Sequence, residues 1–259
     1  MFFLLIKKSF FDAWDNLGAL ILGNFSIFLV LMAGLWPMFR ILESGNSMGF
    51  IFIVILIPIL GITLGMVSSL QSKVADYKRP AWSGIPDTFK STWKISLVYS
   101  VSVALFFGVS SFGITFYIGM KNMLGLAAVA LLFWLCFGLY LLSLWFFPVR
   151  NRLSGNFRSL LKKSALIMLD NMGLTLFAGL IMVPLHLFLW PLTAFGAFGP
   201  AGLLLYQDGA LRLLMLKYDW LEENPESKKR DVPWYELLID EKELVGKRTL
   251  KGMIFPWKE

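Results

Sequence analysis

The sequence predicts an all-α transmembrane protein of about six membrane helices, arranged as two or three parallel helix-hairpin repeats, each preceded by an amphipathic interfacial helix. Three observations carry this expectation: an apolar composition, a one-sided distribution of basic residues, and an internal repeat. Of 259 residues, 57% are hydrophobic and only 16% charged, with a mean hydropathy of +0.68. A soluble domain carries about 25% charged residues. Folded in water, this chain would expose large apolar patches.

The remaining composition narrows the class further. Met1 to Ile6 is apolar but too short for a signal-peptide core, with no basic region ahead of it and no small-residue cleavage site after it. The single cysteine, Cys136, can form no intrachain disulfide and no Cys-based metal site. A formal charge of +7 would point to nucleic acid in a soluble protein. Here it is the basic flanking expected of membrane helices, so lipids and not nucleic acid are the expected partners.

Apolar runs cover residues 17–38, 48–70, 95–120, 123–147, 172–190 and 192–218, each long enough for a hydrocarbon core of roughly 30 Å. The last two are separated only by Trp190-Pro191, and proline disfavours helix at the residue before it. Five spans plus a re-entrant segment is therefore the alternative. The final run turns amphipathic after Gln207. With both termini cytoplasmic, all of the 24 Lys and Arg except Arg40 and Lys121 fall on the cytoplasmic side, as the positive-inside rule requires.

Lys7-Lys8-Ser9, Asp15-Asn16 and Gly18 recur at the same spacing as Lys162-Lys163-Ser164, Asp170-Asn171 and Gly173. Both first spans then end in Trp-Pro, at Trp36-Pro37 and Trp190-Pro191. A weaker third copy places Phe89, Lys90, Ser91, Lys94 and Ser96 where Phe157, Arg158, Ser159, Lys162 and Ser164 stand. The expected organisation is a transmembrane domain over residues 1–218, with units at about 1–80, 86–148 and 154–218, and a cytoplasmic tail over 219–259. Each unit opens with a short helix carrying Phe and Leu on one face and Lys, Arg and Asp on the other, suited to the interface.

The chain has few groups that could carry chemistry. Asp15 and Asp170 each precede a first span, where aspartate caps a helix and complements its dipole; a symmetric polar site is the alternative. His186, the only histidine, either marks a proton path or is a partnered histidine. Asn24 reads as an interhelical hydrogen bonder. Gln207, Asp208 and Arg212 form the densest polar cluster, with Asp208 and Arg212 spaced to pair on one helical face. Gly61 and Gly65 have the spacing that lets two helices approach closely. No phosphate loop, H-E-x-x-H or nucleophile elbow is present, so no catalytic, cofactor-binding or metal residue is assigned and no cofactor is expected.

Composition changes after Trp220: residues 221–231 are charged and contain Pro225, as in an exposed linker. Trp234, Tyr235, Phe255 and Trp257 are then unusual in a polar tail. They either pack on the protein's own surface, dip into the interface, or dock a partner.

Gly61-Ile-Thr-Leu-Gly65, a polar helix end through Tyr77 and then Asp87-Thr-Phe-Lys-Ser-Thr-Trp-Lys resemble the YesL-like family of bacterial polytopic membrane proteins. Phe147-Pro148-Val149, a basic turn and Leu160-Leu161-Lys162-Lys163-Ser164-Ala165-Leu166 extend the likeness, which covers residues 1–215 in layout. The charged tail after Trp220 departs from that family's pattern. The resemblance implies a multi-pass protein of the bacterial plasma (inner) membrane, often associated with carbohydrate uptake systems of the ABC class. It supplies no catalytic residues. The expected function is a non-catalytic membrane subunit of such a transport complex, partnered by other transporter subunits. The alternatives are a stand-alone transporter or channel, with a path near Asn24, His186 and Asp208, and a lipid-modifying membrane enzyme.

Overall fold

The structure, a computed structural model, describes residues 1–80, 82–246 and 248. The described residues are predominantly helical, without strands. The long helices are α1 (Phe2–Asp15), α2 (Leu17–Glu43), α3 (Ile51–Ala75), α4 (Ile85–Gly119), α5 (Met123–Arg152) and α6 (Phe157–Asp170). They continue with α7 (Met172–Phe177), α8 (Val183–Leu192) and α9 (Pro200–Glu223), followed by the short α10 (Trp234–Leu237) and α11 (Ile239–Val245). Five segments are long and apolar enough to cross a membrane: Leu17–Glu43, Ser47–Ala75, Ile85–Gly119, Met123–Arg152 and Met172–Leu192.

The junctions α1–α2 and α6–α7 are built alike. Asn16 sits at φ −124°, ψ 34° and Asn171 at φ −127°, ψ 45°. Each carboxamide donates to the carbonyl four residues back, Asn16 to Asp12 at 3.0 Å and Asn171 to Ile167 at 3.1 Å. A short polar side chain competing for the backbone in this way interrupts a helix. No Asp-Asn pair occurs at the matching place in α4, and there the helix is unbroken for 35 residues, about 52 Å of rise. Its amphipathic first turns and its apolar span are one rod.

Between α7 and α8 the chain widens into a π-helical turn, Ala178–Met182. Pro184, just beyond, has no N–H to give, and a wide turn frees carbonyls that need other donors. Tyr140 Oη donates to the Gly179 carbonyl at 2.6 Å, and the His186 ring Nδ1 lies 2.9 Å from the Met182 carbonyl.

Helix α9 forms the centre of the bundle, packed against α1, α2, α3, α5 and α8. Leu204, Leu205, Tyr206, Ala210, Leu211, Leu213 and Leu214 are all buried, as expected of a helix enclosed on every side. It is not among the five apolar spans, because Asp208, Arg212 and Lys217 interrupt it. Pro200 opens it, a position where proline costs no hydrogen bond. Asn24 then bridges its entry: Nδ2 donates to the Gly196 carbonyl at 2.7 Å, and Oδ1 accepts the Ala201 N–H at 2.9 Å. Asn24 lies only seven residues into α2, about 10 Å along its axis. The turn that opens the last run is therefore held beside the first third of α2. Gly199, at φ +155°, makes the turn possible, since a Cβ there would run into the Trp190 ring.

Helices α3 and α4 meet at the glycine pair. A Cβ on Gly61 would strike Ser100, and one on Gly65 would strike Ser96. Above that contact the α4–α5 hairpin stands away from the bundle, with Phe112 82% and Met123 83% exposed, a surface suited to lipid.

Candidate functional site

Seven ionisable side chains meet where α1, α3, α5, α9 and α11 converge. Asp208 on α9 is completely buried. Its carboxylate accepts from Ser68 Oγ at 3.2 Å and from Asn151 Nδ2 at 3.1 and 3.2 Å. Arg152 Nε stands 3.8 Å away. Arg152 continues to Asp76 at 2.9 Å, and Asp76 to Arg212 at 2.8 Å. Arg212 Nε donates to Glu241 at 2.6 Å, and Tyr77 Oη donates to the same carboxylate at 2.8 Å. Lys8, 3.9 Å from Glu241, ends the series on Asp12 at 2.6 Å.

Signs alternate along this chain, which is the arrangement that lets charges leave water. Lys8 is the extreme case, with no exposed surface. It also donates to the Ala75 carbonyl at 3.0 Å and lies 3.6 Å from the Tyr77 ring centroid. Burial lowers its pKa, against the pull of Asp12. Burial likewise raises the Asp12 carboxyl to about 6 even with Lys8 beside it. Asp76 goes the other way: burial pushes it up, but Arg152 and Arg212 outweigh that and hold it below the usual carboxylate range.

Several expectations need correcting. Asp208 and Arg212 do not pair with each other; tertiary partners on α3, α5 and α11 take both. Asp15 and Asp170 cap neither first span. Asp15 instead pairs with Arg248 at 2.6 Å. Asp170 accepts from Lys217 at 2.7 Å, from Tyr218 Oη at 2.9 Å and from Lys229. The polar face of α1 is not turned wholly to water, since Lys8 and Asp12 point inward.

The other candidates are dispersed. Gln207 is buried on α9, but Ser68, Asn151 and Arg152 surround the Asp208 carboxylate. Asn24 is committed to the α9 entry. His186 borders a separate apolar cavity of about 290 Å³ between α1, α2, α8 and α9, with Phe10, Leu17, Leu20 and Phe198. In the tail, Trp234 packs against the main core, whereas Tyr235 is 77% exposed with the Lys242 ammonium 4.1 Å from its ring centroid. Phe255 and Trp257 lie outside the described residues. Among the described residues, no group of three His, Cys, Asp or Glu side chains could hold a metal ion.

Sequence reasoning missed Lys8, Asp12, Ser68, Asp76, Asn151, Arg152 and Glu241. One signal was available: Asp76 is an acid in a loop otherwise basic from Lys73 to Arg79. Compared with known proteins, the chain matches no family model, no curated protein and no solved structure.

Proposed function

We propose that this chain is a non-catalytic integral membrane subunit of a bacterial transport complex, a carbohydrate importer of the ABC class, and that its tail docks the cytoplasmic ATPase component. The observation that carries the reading is the two-faced tail. Glu241, Leu238 and Val245 are buried against the bundle, which fixes α10 and α11 in place. Tyr235, Ile239 and Leu244 then face outward, all exposed, on a segment otherwise rich in charge. Fixed apolar side chains held out from a polar surface are what a protein interface requires. The likeness to the YesL-like family supports the transport setting. The rival transport path gains no such support, because among the described residues the cavity that His186 borders is lined by neither Asn24 nor Asp208.

The test is gentle detergent extraction from native membranes, followed by identification of copurifying proteins. Wild-type chain is expected to bring permease and ATPase subunits. The combined Tyr235→Ser, Ile239→Ser and Leu244→Ser variant, which leaves Glu241 and the bundle untouched, is expected to lose the ATPase. A wild-type chain isolated alone, or a variant that keeps every partner, would sink the proposal.

A further inference from the structure

The cavity of about 290 Å³ beside His186 lies apart from the alternating charges. Residues of α1 at helical spacing, Ile6, Ser9, Phe10, Ala13 and Trp14, form one wall. Leu17 and Leu20 of α2, Leu185 of α8 and Gly202 of α9 close the other sides. Ile6, Trp14 and Leu185 are exposed, so the rim is apolar and suited to lipid. His186 is only 8% exposed. Its Nδ1 stands 2.9 Å from the Met182 carbonyl. A carbonyl only accepts, so in the neutral ring Nδ1 carries the proton and Nε2 the lone pair. Nε2 has no partner among the described residues and, unlike the Ser9 and Tyr206 hydroxyls on the same cavity, it is not closed off by packing. It lies 3.3 Å from where a Gly202 Cβ would stand. Gly202 itself lines the cavity, so the missing side chain leaves room in front of Nε2.

A ligand here must bring one hydrogen-bond donor and little other polarity. Among the described residues no Lys, Arg, Asp or Glu lines the cavity, which would leave a phosphate or ammonium head group uncompensated. Water is a poor occupant, because a buried water wants about 2–4 polar partners. The walls favour a flat ring: Phe10, Trp14, Phe198 and Tyr206 line the cavity with the imidazole, and Phe198 meets His186 edge to face at 6.4 Å. The volume stands at the lower end for small-molecule sites, roughly 300–1,000 Å³, enough for a single substituted ring. We infer that this cavity binds the ring of a lipid-soluble phenol, of the isoprenoid quinol class. The ring hydroxyl donates to His186 Nε2, and the hydrocarbon tail leaves past Ile6 and Trp14 into lipid. A quinone offers only acceptors, so the hydroxyl-bearing form is the one held. This inference does not rest on the proposed role in a transport complex.

The test measures retention of radiolabelled para-octylphenol by the full chain in phosphatidylcholine nanodiscs, above that of empty discs. The O-methyl ether of the same phenol is the matched ring without a donor. Saturable retention of the phenol is expected, about tenfold tighter than that of the ether, since one hydrogen bond separates them. A short-chain benzoquinol should displace the phenol, and the matching benzoquinone should do so about tenfold less well. Gly202→Ala sets a methyl against Nε2 while leaving the Nδ1 contact in place, and should abolish the preference for phenol over ether. His186→Leu should do the same, with thermal unfolding reporting whether each variant still folds. Equal retention of phenol and ether by the wild-type chain would mean that the cavity takes any hydrocarbon, and would overturn the inference. No saturable retention of the phenol, or a benzoquinol that fails to displace it, would overturn it as well.

Discussion

Asp208 and Arg212 stand one turn apart on α9 and are joined only through a relay, Asp208 to Arg152, Arg152 to Asp76, and Asp76 to Arg212. The relay draws its members from α9, from the end of α5 and from the end of α3. Each charge on α9 therefore reports on the packing of its neighbours. That makes the site testable one residue at a time.

Asp208→Ala should be among the most destabilising single changes in the chain. It leaves Arg152, Asn151 and Ser68 around a buried space with no acceptor in it, and breaking a buried ion pair costs about 3–5 kcal/mol. Asp208→Asn keeps the hydrogen-bonding shape and should cost less. Thermal unfolding in detergent reads the order. Equal melting of Asp208→Ala and wild type would refute the burial argument.

Glu241→Ala should free the tail without unfolding the bundle. It removes the acceptor for Arg212 Nε and Tyr77 Oη while leaving the packing of α1–α9 intact. Limited proteolysis should then cut within residues 224–246 several-fold faster than in wild type, since local opening sets accessibility. An unchanged cleavage pattern would show that Leu238 and Val245 suffice to hold the tail.

Asp170 should give the fold an acid-sensitive contact. Partial burial alone would raise its pKa, but hydrogen bonds from Lys217, Lys229 and Tyr218 prevail and hold it at about 2. The folded value lies below the unfolded one, about 3.9, so ionisation favours the folded state. Its stabilisation is complete above that unfolded value and is lost as pH falls toward 2. The melting-temperature gap between wild type and Asp170→Asn should be constant above pH 5 and shrink between pH 4 and 2. A gap that does not change over that window contradicts the assignment.

Gly65→Val should separate α3 from α4. Its side chain would occupy the space of Ser96, and overpacking of this kind costs about 1–3 kcal/mol. Gly108→Ala, on the same α4 but with open space around it, is the matched control and should be neutral. Comparable destabilisation of both would mean that the glycine spacing reflects backbone flexibility and not close approach.

The places where α1 gives way to α2 and α6 to α7, though not the Asn side chains that interrupt them, and the close α3–α4 contact were legible in the sequence because each depends on local chemistry. Asn16 and Asn171 follow Asp at a fixed spacing, and Gly61 and Gly65 share one helical face. The all-α membrane class was legible for the same reason, since span length and hydropathy are local sums. The charge relay was not. Asp208 and Arg212 satisfy the i,i+4 rule on their own helix, and only the arrival of Ser68, Asp76, Asn151 and Arg152 from α3 and α5 offers better partners. Lys8 was misread for a related reason: amphipathic periodicity identifies a polar face but not what covers it. The docking of the α9 entry on Asn24 was not legible, because hydropathy does not say where a helix begins relative to its neighbours.

The contact of Asn24 with the first N–H of α9 joins residues 177 positions apart in the chain. The last large hairpin therefore completes its entry turn on a group supplied by the first apolar helix to be synthesised. That turn has its acceptor only once α2 is packed beside it. Helix α2 is thus the post against which the final hairpin closes.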